Sequence, residues 1–160
     1  MKNLQGLLEH QLRDLYSAEG QYAEILPKMV AAASDSKLKA MFTDHLKQTK
    51  SQQDRVRQLL EDIDVKPGGV KCEAMAGLIK ECQGMIDEDT TAAVKDAGLI
   101  AEAQRCEHYE ISGYGTATKY AMTLGHDDMV EVLDAILDEE SRFDEELNDL
   151  AIQEINQKAV

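Results

Sequence analysis

The residues able to do chemistry in this chain are carboxylates that fall where apolar side chains are expected. One helical series reads Leu8, Leu12, Leu15, Glu19, Tyr22, Leu26, Met29, and another reads Val130, Leu133, Leu137, Glu140, Asp144, Leu147, Ala151. Alternating spacings of three and four mark the inward stripe of a bundle helix. Both stripes are apolar at their ends and acidic in the middle. Two more behave alike: Ile100, Ala103, Glu107, Glu110, Tyr114, Ala117, Ala121, and Leu38, Met41, His45, Gln48, Gln52, Arg55, Leu59.

Together the stripes offer the carboxylates Glu19, Glu107, Glu110, Glu140 and Asp144, the imidazole of His45, and the amides of Gln48 and Gln52. Burying carboxylates together costs several kcal/mol per ion unless positive charge compensates, and like charges raise one another's pKa. An oxygen-rich set with an imidazole suits iron or manganese, and a pair of divalent ions would supply the missing charge. Arg55, on the same stripes, is the alternative source of compensation, without metal.

The elements that position these groups are helices. The chain of 160 residues has only two prolines, two phenylalanines and no tryptophan, and is dominated by strong helix formers. Its length suits one domain spanning 1–160. Four long helices are expected: Leu4–Ala33, Lys37–Ile63, Ala92–Thr123 and Asp127–Asn156. Pro27 should bend the first or leave a local defect. The stretch Asp64–Thr91 reads as a long connection carrying a short amphipathic helix, Glu73–Asp87, with Met75, Leu78, Ile79, Cys82 and Ile86 on one side. Connections that run short, long, short predict an all-α, ferritin-like antiparallel four-helix bundle with one long crossover.

A net charge of -14 argues against nucleic acid and anionic membranes as partners and favours cations, although solubility alone also accounts for acidity. No apolar run reaches the roughly 20 residues of a membrane span. The opening Met1-Lys2-Asn3-Leu4 lacks a signal-peptide core. Three cysteines, Cys72, Cys82 and Cys106, form no metal-spacing motif; with their odd number they point to a reducing cytoplasm. No phosphate-binding loop or nucleophile motif is present.

Several short segments carry a family likeness: Asp14-Leu15-Tyr16-Ser17-Ala18-Glu19, Leu26-Pro27-Lys28, His45-Leu46 with Thr49, Met75-Ala76-Gly77-Leu78-Ile79, Glu107-His108-Tyr109-Glu110-Ile111, Tyr114-Gly115, and Leu137-Asp138-Glu139-Glu140 with Asp144. In this combination the chain resembles the YciF/YciE-like bacterial stress-response proteins of the ferritin-like superfamily. The resemblance implies a dimeric helical bundle, a role linked to stress and a dinuclear iron site. Glu19 resembles the first-helix ligand, Glu107 with Glu110 the third-helix pair, and Glu140 with Asp144 the fourth-helix pair. Gln48 stands where the family typically has glutamate, and no Glu-x-x-His motif is present, so a mononuclear centre must be weighed beside a dinuclear one. The competing reading is a dimeric helical scaffold that has lost full metal chemistry.

Among the remaining residues, His108 lies about 100° from Glu107 around its helix and is expected beside the site or on the surface. His10 and His126 are expected to be solvated or helix-terminal. Tyr16, Tyr22, Tyr109 and Tyr114 surround the acidic belt and should be structural, with satisfied hydroxyls. Cys106 is expected as a small buried residue, and Gly113 and Gly115 as points of close helix approach.

Overall fold

A computed structural model describes residues 1–160. Five helices carry the fold: α1 (Leu4–Ala32), α2 (Ser36–Asp62), α3 (Glu73–Asp87), α4 (Ala92–Leu124) and α5 (Asp127–Leu150). After α5 the chain passes through a π-helical turn, Ala151–Ile155, into a last turn, α6 (Asn156–Lys158). The single continuous fourth helix expected to Asn156 therefore changes its winding near its end.

Local chemistry sets the boundaries. The Asn3 side chain accepts the Gly6 N–H at 2.9 Å, and Asp35 accepts those of Lys37 and Leu38 at 2.9 and 3.2 Å, which satisfies donors that the first turn of a helix leaves free. Thr91 caps α4 in the same way. Gly125, at φ 76°, takes the left-handed conformation that stops α4. Asp127 and Asp128 then open α5, where acidic residues complement the helix dipole. Pro27 lies inside α1, which continues past it to Ala32. The proline is exposed, so the hydrogen bond it cannot donate is lost on the outer side of the helix.

Cross-helix contacts give the topology. Gln53 lies against Tyr16 and Gly20, and the short turn between Ala32 and Ser36 returns α2 antiparallel along α1. Gln104 bonds Asp144 while Gly115 lies near Leu137, pairing α5 antiparallel with α4. Tyr22 reaches Glu107 and Leu15 reaches Gly113, so α1 and α4 are antiparallel neighbours. Arg55 pairs with Glu139 and Lys37 with Glu154, so α2 and α5 are too. The crossover runs along the outside of α1 and α4, from Cys72 beside Gln21 to Gln83 beside Lys28. Every neighbouring pair among α1, α2, α4 and α5 is antiparallel and one connection spans the bundle, which is the arrangement expected from the connection lengths.

The core is divided. One apolar cluster, including Leu26, Met29, Phe42, Leu99 and Leu147, fills the end nearest the α1–α2 turn and takes in Met75 and Cys82 of α3. The other, including Leu8, Leu12, Leu60, Ala117 and Leu133, fills the opposite end. Between them lies a buried polar belt. Gly113 permits close approach as expected, since a Cβ there would lie 2.7 Å from Leu15 Cδ2; Gly115 does not, its nearest neighbour being 3.9 Å away.

Two stripes differ from expectation. The buried face of α2 is Leu38, Phe42, His45, Thr49, Gln52, Val56, Leu59, with Leu60 beside it, and that of α5 is Met129, Leu133, Ile136, Glu140, Phe143, Leu147, Leu150. Each follows a four-three rhythm where three-four was expected. Met41, Gln48 and Arg55, like Leu137 and Asp144, are consequently turned toward the flanks.

Candidate metal centre

Glu19 of α1, Glu107 and Glu110 of α4, Glu140 of α5 and His45 of α2 meet at mid-bundle, none more than 2% exposed. One helical turn separates Glu107 from Glu110, so α4 presents both to the same interior. Two trios arise: His45, Glu107 and Glu140, and Glu19, Glu110 and Glu140. Within each trio the donor atoms lie within 4.8 Å of one another. Glu140 belongs to both, the place a shared carboxylate would take.

Neighbouring side chains hold these groups in position. The Tyr22 hydroxyl donates to Glu107 Oε1 at 2.8 Å, and the Tyr114 hydroxyl donates to Glu19 Oε1. Both hydroxyls are thus satisfied, as expected. The Gln52 amide donates to Glu140 Oε1 and, at 3.0 Å, to Glu139 Oε2. His45 Nε2 lies 3.2 Å from Glu107 Oε1 and 3.9 Å from Glu140 Oε2. Its ring stacks on Phe143 at a 3.7 Å centroid distance and meets the edge of Tyr22.

Burial and mutual repulsion push the carboxyls of this site toward their neutral forms. Burial, with repulsion from Glu140, pushes the Glu19 carboxyl well above its usual range. Burial with repulsion from Glu19 does the same to Glu110, and burial with repulsion from Glu107 does so to Glu140. Glu107 is raised to about 8 by burial, although hydrogen bonds from Glu140 and Tyr22 favour its ionised form. Burial lowers the pKa of His45 and leaves the ring neutral. Arg55, the alternative source of compensation, pairs with Glu139 at the rim and favours ionised Glu19 only as a lesser influence beside burial and Glu140.

Many donor atoms still lack partners. They are Oε2 of Glu19, Glu107 and Glu140, both oxygens of Glu110, and both ring nitrogens of His45. Unpaired buried polar atoms are uncommon and call for a ligand or a cost. These atoms are carboxylate oxygens and an imidazole, the donors that hold iron and manganese. The donor set fits such ions.

Two expected ligands are turned away from the belt. Gln48 is turned to the α2 flank because Thr49 occupies the inward position, its hydroxyl bonded to the His45 carbonyl. Asp144 is displaced in the same way by Phe143; it accepts from Gln104 at 3.1 Å and faces His108 at 3.4 Å on the outer α4–α5 seam. His108 itself is largely exposed. Gln52, read as a stripe residue, supports the site by holding Glu140.

Two further polar contacts join residues far apart in the sequence. Asp96 of α4 is buried and accepts the N–H groups of Ser34 and Asp35 at 2.7 and 2.9 Å, bracing the α1–α2 turn. Tyr109 donates to Asp14 and accepts from Cys72 at 3.0 Å, pinning the start of the crossover. The three cysteines are free and buried. Burial pushes the Cys82 thiol up to about 12 and Cys106 higher still, so neither is a ready thiolate.

Comparison with known proteins agrees with this architecture. Residues 3–160 match the family described as a domain of unknown function, DUF892. Protein YciF of Escherichia coli K12 is 41% identical over 160 residues, covering 99% of this chain and 96% of that protein. The crystal structure of that stress protein superposes with a TM-score of 0.93 over 98% of this chain and 99% of its own. YcfI of Rhodopseudomonas palustris, provisionally labelled a structural protein, is 42% identical with a TM-score of 0.89 over 92% of this chain and 94% of its own. No helix is long and apolar enough to cross a membrane. The chain belongs to the DUF892 family and is a relative of the stress protein YciF.

Proposed function

We propose that this chain is a cytoplasmic, homodimeric, ferritin-like stress protein that holds iron or manganese in its acidic belt. The observation that carries the reading is the set of unpaired, fully buried donor atoms on Glu19, His45, Glu107, Glu110 and Glu140. Kinship with YciF, itself called a stress protein, supplies the link to stress.

In this reading the His45, Glu107, Glu140 trio would hold one ion and the Glu19, Glu110, Glu140 trio a second. Bound iron would supply redox chemistry toward oxygen or peroxide. The chain's own contribution is positional. Tyr22, Tyr114 and Gln52 each fix one oxygen of a carboxylate and leave Oε2 for a ligand. Apolar clusters on either side exclude bulk water, which strengthens every charge interaction within. Loading requires the carboxyls to give up their protons, so affinity should rise with pH.

Glu140→Gln tests the assignment, because it keeps shape and removes the residue common to both trios. Metal content should fall toward zero with helix content unchanged. Metal content equal to wild type would refute it. The scaffold reading draws on one observation: the protonated, tyrosine-braced belt is compatible with the fold by itself. Oxygen consumption after anaerobic addition of ferrous iron discriminates, since a scaffold would match a protein-free control.

A further inference from the structure

His45 belongs to a metal trio and also to the wall of a surface cavity. That cavity, about 330 Å³, opens between α2 and α5 and is lined by Met41, Asp44, Gln48, Glu139, Arg142, Phe143 and Glu146 besides His45. His45 alone is common to the cavity and the trios. Its side chain is inaccessible to solvent, both ring nitrogens lack partners, and Nε2 is 3.2 Å from Glu107. His45 therefore lies between an open cavity that its residue lines and the buried carboxylates that its ring approaches, with the ring itself covered by Phe143. A larger depression of about 580 Å³ near Leu59, His126 and Met129 includes no belt residue.

We infer that the α2–α5 cavity is the port through which divalent cations reach the belt, with His45 as the ligand that passes them inward. This rests on the metal-binding reading above. The mouth offers the carboxylates Asp44, Glu139 and Glu146 and the amide of Gln48 as weak oxygen donors for a partly hydrated ion. Glu139 is held by Arg55, and Asp44 by Lys47 at 2.8 Å in a mostly exposed pair that solvent screens. Arg142, exposed at the same mouth, is the charge that opposes a cation. The imidazole is a ligand that iron and manganese accept. Its stacking on Phe143 gives it a fixed place between mouth and belt.

The two signs of charge at the mouth make the test directional. Mn²⁺ uptake is followed by loss of the free-ion electron paramagnetic resonance signal, in full-length protein at low ionic strength. Asp44→Asn with Glu146→Gln should slow uptake by about three- to tenfold, and Arg142→Ala should speed it by about threefold, the scale of local charge steering. Both differences should shrink in high salt, and the final Mn²⁺ content should equal wild type in each variant. Glu131→Gln with Asp134→Asn, exposed on α5 away from the cavity, should leave the rate unchanged. Wild-type uptake rates in both mouth variants would overturn the port while leaving metal binding intact. Absence of Mn²⁺ uptake by every variant, wild type included, would overturn the port together with the reading on which it rests.

Discussion

Replacing Glu107 with glutamine should remove a specific pH dependence from the stability of the metal-free protein. Glu107 is fully buried, and its pKa rises from 4.5 to about 8 on folding, chiefly through burial. The folded state therefore holds a proton that the unfolded chain releases above about pH 4.5. For a raised pKa, stability is fully present below the unfolded value and falls as pH rises toward the folded one. Between about pH 5.5 and 7.5 this one group should lower the unfolding free energy by roughly 2–3 kcal/mol. The amide has no proton to lose, so Glu107→Gln should lack that share of the slope. The assay is guanidinium unfolding of chelator-treated wild type and variant, followed by circular dichroism, at both pH values. Surface carboxylates are common to both proteins and cancel in the comparison. Equal slopes would refute the inference that Glu107 is held protonated by its surroundings.

Other consequences follow from neighbouring contacts. Asp96→Ala removes the acceptor for two backbone N–H groups at the α1–α2 turn and should cost about 2 kcal/mol in chemical unfolding, with metal content unchanged. Gln48→Ala should retain wild-type metal content, because Thr49 takes the inward position on α2 and Gln48 is turned to the flank, whereas His45→Ala should lose about one equivalent, because His45 belongs to a trio; elemental analysis separates them. Tyr22→Phe removes a hydrogen bond that favours ionised Glu107. Its metal affinity should therefore weaken most at low pH, as read by Mn²⁺ titration at several pH values.

Every residue of the α1 and α4 stripes read from the sequence is buried, although both faces are wider than those stripes, whereas the stripes of α2 and α5 are only partly inward. On α1 the series from Leu8 to Met29 is apolar on one phase, so Glu19 could be placed without ambiguity. On α2 and α5 two phases share every seventh residue: Leu38, His45, Gln52 and Leu59, or Leu133, Glu140 and Leu147. Those shared residues were placed correctly. The residues between them depend on the phase, and Met41 or Leu137 made the wrong one look apolar. The chain's only two phenylalanines, Phe42 and Phe143, mark the true phase. Their large apolar area gives each a strong preference for the core. Reading from them would have moved Gln48 and Asp144 outward and brought in Thr49. The tyrosine–glutamate bonds and the Asp96 brace join residues far apart in sequence, so no local pattern could announce them.

The most direct test of the central claim is metal content per chain in protein purified without chelators and reconstituted anaerobically with ferrous iron or Mn²⁺. The two trios predict about two equivalents, with Glu140 shared between them. A content near zero after reconstitution would contradict the account and show that protonation alone satisfies the acidic belt.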